Sequence, residues 1–160
     1  MAVNTPQNPN QFNQAPVLGM TDLRFNGNTL AVQFDPAGAG TLVSGQACKW
    51  STVASGVPMV VPSTAASDIV AGFVNFNIKD ISYVPGNHLE ISQSGNVQYL
   101  LAGAAIDRGE ELTQDPSTVG EVIPVTGASG FPIVGYALDS VADTDLVRVW
   151  LYAPVARLDS

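Results

Sequence analysis

The sequence predicts an all-β protein, a single compact β-sandwich or small β-barrel with an extended N-terminal arm. Three observations lead to this fold class. Apolar and polar side chains alternate with a period of two along several short segments, which is typical of half-buried strands. Fifteen Gly and eleven Pro are scattered through the 160 residues, a spacing that suits many short strands in a sandwich or small barrel. The N-terminal segment, by contrast, is dominated by Asn, Gln and Pro.

Residues 1–16 are predicted to form the extended arm, and residues 17–160 a single β domain. Within the arm, seven side chains are Asn or Gln and three are Pro, and no ionisable side chain precedes Asp22. Such a segment cannot build a core of its own, so it is either a solvated tail or an arm that docks on a neighbouring molecule. A single aromatic residue in the stretch favours docking. The candidate partner-contact residues of the arm are Pro6, Pro9, Phe12 and Pro16.

The first strands are predicted from a hairpin signal and from alternation. Leu23–Phe25 and Thr29–Phe34 flank Asn26-Gly27-Asn28, and Asn-Gly between apolar runs is a strong hairpin signal. Residues 74–79 alternate between apolar and polar side chains. This alternation predicts a strand with one face pointing inward.

Two further hairpins are predicted in the second half of the chain. His88–Ser92 and Val97–Leu101 flank a Gln-Ser-Gly-Asn segment, and Tyr136–Leu138 and Leu146–Tyr152 bracket a polar loop. In the last of these strands the apolar residues occupy every second position, which predicts one buried face. Only Leu100–Leu112 has room for a turn or two of helix, because two glycines limit its length. No repeat of fixed period is found, and no change in composition marks a second domain.

Charge and composition exclude several classes of function. The net charge of −8 disfavours a nucleic-acid binder, which needs cations to neutralise phosphates, and disfavours binding to anionic membrane surfaces. One Cys and one His exclude a disulfide framework, a Cys-based zinc site and a multi-His metal site within one chain. We therefore expect no cofactor. The N-terminus lacks the features of a secretory signal, and no apolar run is long enough for a transmembrane helix, so we expect synthesis and folding in the reducing cytoplasm of a cell.

Three groups of residues are candidates for chemistry. Cys48 and His88 are a nucleophile and a base in principle, but a lone Cys in a strand usually acts as a small apolar residue. Two clusters of three acidic residues each are more simply explained as solvated turns, since neither cluster matches a calcium-loop or glycosidase pattern. They are Asp139, Asp143 and Asp145, and Asp107, Glu110 and Glu111. Trp50 and Trp150 are expected to anchor the core or an interface.

Three C-terminal segments carry a resemblance to a known family. They are Ala102–Leu112 (AGAAIDRGEEL), Gly135–Ser140 (GYALDS) and Val147–Leu151 (VRVWL). Over this C-terminal part the chain resembles small head decoration (cement) proteins of tailed bacteriophages. The resemblance implies a β-rich, non-enzymatic domain on the exterior of the capsid, with the major capsid protein as partner and frequently a homotrimer as the working unit. It supplies no catalytic residues, and it implies neither a nucleic-acid nor a membrane partner.

The residues themselves agree with this resemblance in three respects. An acidic protein suits the outside of a shell whose inside is lined with DNA. A low density of charge suits a subunit that buries further surface in an oligomer. A Pro- and amide-rich arm suits attachment across a lattice. The alternative function is a carbohydrate- or receptor-binding β module of a phage tail fibre or spike, which aromatic side chains grouped on one face would favour. A small hydrolase ranks third.

Overall fold

The computed structural model describes residues 16–22, 27–53, 55–77, 82–115, 117–118, 120–125, 131–152 and 157–158, and none of these residues is helical. The strands are β1 Thr29–Phe34, β2 Leu42–Val43, β3 Ala47–Trp50, β4 Met59–Pro62, β5 Gly72–Val74, β6 Ser82–Tyr83, β7 His88–Ser92, β8 Val97–Ala102, β9 Glu111–Gln114, β10 Glu121–Pro124, β11 Pro132–Ile133, β12 Gly135–Ala137, β13 Leu146–Leu151 and β14 Arg157–Leu158.

The strands form two closed five-stranded barrels, one after the other along the chain. Barrel I has the order β1-β4-β3-β5-β7 and barrel II the order β8-β10-β9-β12-β13. In each barrel the first strand pairs in parallel with the third, and every other pairing is antiparallel. Two-stranded pairs, β2 with β6 and β11 with β14, complete the set. The all-β prediction is confirmed, and its barrel alternative is present twice.

The two barrels are structural repeats with the same register. Cys48 lies opposite Pro62 in barrel I, as Leu112 lies opposite Pro124 in barrel II. The β2–β6 pair of barrel I is matched by an isolated bridge, from Ile106 to Val141, in barrel II. The number of residues that separates a position in barrel I from the equivalent position in barrel II is larger for the first strands, β1 and β8, than for the fifth strands, β7 and β13. Loops of unequal length therefore shift the period, which explains why the sequence shows no fixed repeat.

Each barrel has its own apolar core, built from alternate strand positions. In β1 the inward side chains are Val32 and Phe34, and in β8 they are Leu100 and Ala102, all buried. In β13 the buried residues fall on every second position, as the sequence alternation predicts. The fifth strand of each barrel pairs with the first, so the ends of each repeat are held together by its own sheet.

Four equivalent turns adjoin the β2–β6 ladder and the Ile106–Val141 bridge, and each has a residue with positive φ at its third position. These residues are Gly45 (φ 78°), Gly86 (φ 93°), Gly109 (φ 90°) and Thr144 (φ 68°). A positive φ at this position is typical of a type II turn and normally requires Gly. Thr144 occupies the place where the other three turns have Gly, and it is the one described non-glycine residue with positive φ.

Residues of barrel I complete the core of barrel II. Ala47, Val70 and Phe73 belong to one cluster with the buried residues of barrel II rather than with those of barrel I. Gln98 Nε2, which is buried in β8, donates to Val74 O of barrel I at 3.0 Å. Gln114 Nε2 lies 3.5 Å from Asp68 O in the loop between β4 and β5. The two barrels therefore share one core cluster and side-chain contacts.

The segment that precedes β1 binds to barrel II. Gly19 N donates to Tyr99 O at 2.8 Å, and Tyr99 N donates back to Met20 O at 2.9 Å. Asp22 N donates to Val97 O at 2.8 Å. The chain therefore contacts β8 of barrel II before it enters β1 of barrel I. Whether residues 17–160 behave as a single domain with a separate arm stays a prediction.

Of the three predicted hairpins, one is confirmed, one is wrong, and the first strand of the third lies outside the described residues. The pairing of Tyr136–Leu138 with Leu146–Tyr152 is confirmed by the antiparallel β12–β13 pair. The pairing of His88–Ser92 with Val97–Leu101 is wrong: both segments are strands, but β7 pairs with β1 and β5, and β8 pairs with β13 and β10. The connecting residues 93–96 instead carry the chain from barrel I to barrel II.

The remaining strand predictions are revised at their ends. Leu23–Phe25, the first arm of the N-terminal hairpin, lies outside the described residues, while β1 forms as predicted. Gly27 packs against the backbone of Asn96, which leaves no room for a Cβ atom. Of the strand predicted over residues 74–79, only Val74 lies in a strand, β5, which is buried at all three positions; residues 75–77 are not in a strand, and residues 78–79 lie outside the described residues. The helical turn considered for Leu100–Leu112 is wrong, because β8 and β9 occupy both of its ends.

The strained turn gives a test of the repeat. We expect Thr144→Gly to raise the free energy of unfolding by roughly 1 kcal/mol, because a β-branched residue in the left-handed region is disfavoured by about that amount. Thermal and urea unfolding measure the change. The reciprocal variant Gly86→Thr has open space around the new side chain and is expected to lower the free energy of unfolding. If both variants match wild type, the two turns do not have the equivalent geometry described here.

Candidate interaction surfaces

The clearest exposed apolar surface of barrel I is the outer face of the β2–β6 ladder. Leu42 and Tyr83 pair across this ladder and point into the core, with 0% and 4% of their surface exposed. The neighbouring residues point outward and are exposed. We define the ladder face by these four residues, Thr41, Val43, Ser82 and Val84. None of them carries a charge.

Two type II turns hold the ladder face in place. Val43 N donates to Gln46 Oε1 at 3.1 Å, and Val84 N donates to Asn87 Oδ1 at 2.9 Å. Val43 and Val84 are 42% and 51% exposed, although their backbones are fixed by these bonds and by the ladder. Exposed valines on a rigid backbone lose little conformational entropy when a partner covers them. The face is therefore suited to a contact that excludes water.

The counterpart of the ladder face in barrel II consists of Ala105, Asp107, Ser140 and Ala142, so it carries one acidic side chain where barrel I has none, and two further acidic side chains lie beside it. Asp107 takes the place of Val43, and Glu110 takes the place of Gln46, with Glu110 Oε2 accepting from Asp107 N at 2.7 Å. Asp145 takes the place of Asn87 and lines, with these two, an open depression of about 510 Å³. The hydrogen bond within the turn is thus kept in both repeats, while three uncharged positions of barrel I are acidic in barrel II.

Charge is distributed unequally between the two repeats. Residues 29–92 contain four acidic and two basic side chains, a net charge of −2, whereas residues 97–152 contain eight acidic and two basic side chains, a net charge of −6. Most of the negative charge of the protein therefore lies on barrel II, and barrel I is close to neutral.

Three aromatic side chains group on the outside of barrel II. Tyr136 and Trp150 are cross-strand partners whose rings stack at 6.2 Å with an interplanar angle of 15°. Tyr152 contacts Tyr136 at 5.9 Å in a tilted arrangement. All three are half-buried. We call them the aromatic cluster. Trp50, the other tryptophan, lies at the end of β3 in barrel I and is 39% exposed.

The structure does not bring the candidate nucleophile and base together. The Cys48 thiol is fully buried and donates to Gly72 O at 3.2 Å. Burial raises its pKa to about 12, so the thiolate is absent at neutral pH. His88 is exposed at the start of β7, two strands away around the barrel. Cys48 is thus the small apolar core residue that the sequence favoured.

The carboxylates of the last hairpin do not converge either. Asp139 forms a two-point ion pair with Arg148, with Nη2–Oδ1 and Nε–Oδ2 distances of 2.6 and 2.7 Å. Arg148 Nη1 also lies 3.3 Å from Oδ2 of Asp22, which ties the segment before β1 to barrel II. Asp143 and Asp145 are exposed. Across the described ranges, no three Asp, Glu, His or Cys side chains are grouped to hold a metal ion.

The candidate arm residues are mostly beyond what the structure describes. Pro6, Pro9 and Phe12 lie outside the described residues, and Pro16 is exposed at their start.

The ladder face was not found from the sequence, because a strand of two residues is too short for an alternation signal. A usable signal was the turn spacing, since Val-Ser-Gly-Gln at residues 43–46 and Val-Pro-Gly-Asn at residues 84–87 follow one pattern.

Comparison with known proteins supplies a structural neighbour. No protein-family model matches the chain, and no curated protein matches its sequence. Among solved structures, the chain is similar to the N base of the head fibre gp8.5 of bacteriophage phi29, with a TM-score of 0.53 and 13% sequence identity, over 81% of this chain and 97% of that chain. The two proteins share a fold. The likeness to the head-fibre base supports the all-β assignment. Separately, no helix long enough to cross a membrane occurs in the described part of the chain.

The ion pair of Asp139 predicts a dependence of stability on pH. Hydrogen bonding to Arg148 is the main cause that holds the pKa of Asp139 below its ordinary value of 3.8. The pair therefore stabilises the folded state at neutral pH, and this contribution is lost as the pH falls through the lowered pKa. We expect Asp139→Asn to lower the free energy of unfolding at pH 7 by about 1 kcal/mol.

The difference between wild type and Asp139→Asn is expected to shrink as the pH falls from the ordinary pKa of 3.8 through the lowered pKa of the folded state, because the carboxylate is protonated first in the unfolded chain and then in the folded one. Urea unfolding at a series of pH values measures it. Asp143→Asn, which removes the same charge from an exposed position of the same loop, is the control and is expected to match wild type. An equal effect of both variants at pH 7 would show that net charge, not the ion pair, is responsible.

Proposed function

We propose that the protein is a non-catalytic structural component of a phage head, which binds the outer surface of the capsid and cements the lattice of the major capsid protein. Two lines support this. The fold is similar to that of a protein described as a head-fibre base, and the C-terminal segments resemble head decoration proteins. The exposed apolar ladder face and the buried thiol of Cys48 favour binding over catalysis.

The single observation that carries the proposal is the difference in charge between the ladder face of barrel I and its counterpart in barrel II. One backbone arrangement presents Val43 in barrel I and Asp107 in barrel II. Uncharged residues with exposed valines suit a contact with another protein, whereas an acidic face suits solvent and repels other acidic surfaces. We infer that the ladder face of barrel I packs on the capsid and that barrel II faces outward.

The proposal has further parts that extend beyond the ladder face. The protein is made in the host cytoplasm and resides on the capsid exterior of the virion, with neither nucleic acid nor membrane as partner. Its working unit is a homotrimer, as the resemblance to decoration proteins implies. The N-terminal arm adds a second contact, in which Phe12 fills a pocket of a neighbouring subunit and the backbone between prolines extends a sheet edge.

A carbohydrate- or receptor-binding module of a tail fibre or spike is the second candidate. The aromatic cluster is the observation that favours it, since grouped aromatic rings form sugar platforms. However, the stacked arrangement of Tyr136 and Trp150 turns one ring face of each toward the other. The cluster therefore presents less ring surface to a ligand than three separate rings do, and we rank this function below capsid binding.

A substitution borrowed from barrel II tests the capsid contact. We expect Val43→Asp to weaken binding to heads of the source phage, prepared without the protein, by at least about tenfold, because a buried unpaired carboxylate is costly at an interface. The barrel II ladder already has Asp at this position, so the fold tolerates it. A binding titration and a thermal melt are the measurements.

The matched control for this titration is Ile69→Asp. Ile69 is 61% exposed and belongs to the loop between β4 and β5, a different segment from the ladder face. This variant adds the same charge and is expected to bind as wild type does. Equal binding by Val43→Asp and wild type would remove the ladder face from the capsid contact.

The arm is tested by deletion. Sixteen extended residues reach roughly 50 Å, enough to cross onto a neighbouring subunit. We expect removal of residues 1–14 to leave a folded protein that binds the particle more weakly, and Phe12→Ala to reproduce part of the loss. The same titration and melt decide the outcome. A truncated protein that melts and binds like the full chain would show that the arm is only a tail.

A further inference from the structure

We propose that copies of this chain associate head to tail, with the aromatic cluster of barrel II on one copy docking against the Trp50 end of barrel I on the next. The Trp50 end is defined by Leu30 and Trp50. The proposal deepens the self-association in the proposed function, since it names the two surfaces, and it rests on that part of the function alone.

The first argument comes from the contact between the barrels within one chain. Barrel I buries Phe73, 1% exposed, in the core of barrel II. Because the two barrels have the same register, Tyr136 is the counterpart of Phe73. Trp150, the cross-strand partner of Tyr136, is likewise the counterpart of Ser92, the cross-strand partner of Phe73. The surface that barrel I uses to join barrel II is therefore present on barrel II as well, where larger aromatic side chains occupy it.

The second argument comes from the other side of the same contact. Barrel II meets barrel I through Gln98 and Gln114. The counterpart of Gln98 in barrel I is Leu30, because Gln98 pairs with Val149 as Leu30 pairs with Ile91. The counterpart of Gln114 is Trp50, because Gln114 pairs with Val122 as Trp50 pairs with Val60. The accepting positions are therefore repeated too, and in barrel I they are apolar instead of polar: Leu30 is half-buried against the core of barrel I, and Trp50 is 39% exposed.

One chain uses each of these surfaces once, internally. The contact between the barrels does not use the second copy of either surface. These second copies are the aromatic cluster, which we call the donor surface, and the Trp50 end, which we call the acceptor surface. Both are uncharged at the residues that define them, and Trp and Tyr are the residues most often found at the energetic centre of interfaces. Two different surfaces that fit each other produce a head-to-tail contact, which closes into a ring or continues as a filament. A second copy of this chain is thus the occupant for which the surfaces are matched.

Two variants and their mixture test the proposal. Trp50→Gln copies the residue that barrel II has at this position, and Tyr136→Lys places a charge in the aromatic cluster. Sedimentation velocity on the particle-free protein, up to about 100 µM, a range that detects weak contacts, measures the assembly. We expect wild type to associate and each variant alone to do so at least about tenfold more weakly. Thermal melts establish that both variants are folded.

The mixture distinguishes a head-to-tail contact from a symmetric one. Trp50→Gln retains a working donor surface and Tyr136→Lys retains a working acceptor surface, so an equimolar mixture is expected to form a one-to-one dimer. A symmetric contact cannot be rescued in this way. Variants that associate like wild type, a mixture that stays monomeric, or a monomeric wild type would each overturn the proposal. None of these results bears on particle binding, which the Val43→Asp titration measures separately.

Deletion of residues 1–14 separates the arm from the folded surfaces. If this truncated protein still associates, and its association is still lost on Trp50→Gln, the surfaces named here carry the contact. If truncation alone abolishes association, the arm is the occupant and the proposal is wrong. A soluble host-surface polysaccharide that binds wild type but not Tyr136→Lys, with self-association unchanged in that variant, would assign the cluster to carbohydrate instead.

Discussion

The burial of Phe73 in the second barrel is the contact on which the exposed surfaces of this protein depend. Its side chain leaves β5 of barrel I and enters the core cluster of barrel II together with Ala47 and Val70. Full burial of a side chain of this size contributes roughly 2–3 kcal/mol, and the buried Gln98 amide bonds barrel I on one side of the same contact. Because the contact fixes one barrel on the other, it covers one copy of each repeated surface and leaves the second copy outside the contact, with the aromatic cluster half-buried and Trp50 39% exposed.

The two repeats show that backbone geometry and surface chemistry are determined separately. Every strand pairing within barrel I has a counterpart in barrel II, whereas the β2–β6 ladder is reduced there to one bridge, Ile106 to Val141. The hydrogen bond from the backbone N–H of the first turn residue to the side chain of the fourth is kept, with Gln46 accepting in one repeat and Glu110 in the other. The outward positions carry no such constraint, since they contribute little to closing a barrel. At the ladder face they are uncharged on one repeat and include Asp107 on the other, and this contrast is the basis of the proposed orientation on a capsid.

The sequence could predict the features that depend on neighbours along the chain. The all-β class, the alternation of β13 and the β12–β13 hairpin follow from local patterns, and so does the inert character of Cys48. The partners of β7 and β8 could not be predicted, because β1 and β13 lie far from them in the sequence and a Gly-containing turn looks the same whether it closes a hairpin or leads to another barrel. The ladder face was missed for a related reason: Val43 and Val84 are far apart in sequence, and each belongs to, or adjoins, a strand of two residues.

The identical register of the two barrels also has a consequence for how the chain folds. Each barrel closes only when its first strand meets its third and fifth, so both depend on distant contacts, and chains of this kind fold slowly. While either barrel is open, a strand of one repeat fits the vacant place in the other, because the spacing and direction of the hydrogen bonds are the same. The side chains decide between them: Phe34 in β1 fills a place that Ala102 fills in β8, so an exchanged strand leaves a void in one core and overfills the other. Divergence between the repeats thus protects newly made chains from misassembly, a hazard that grows with the similarity of neighbouring repeats.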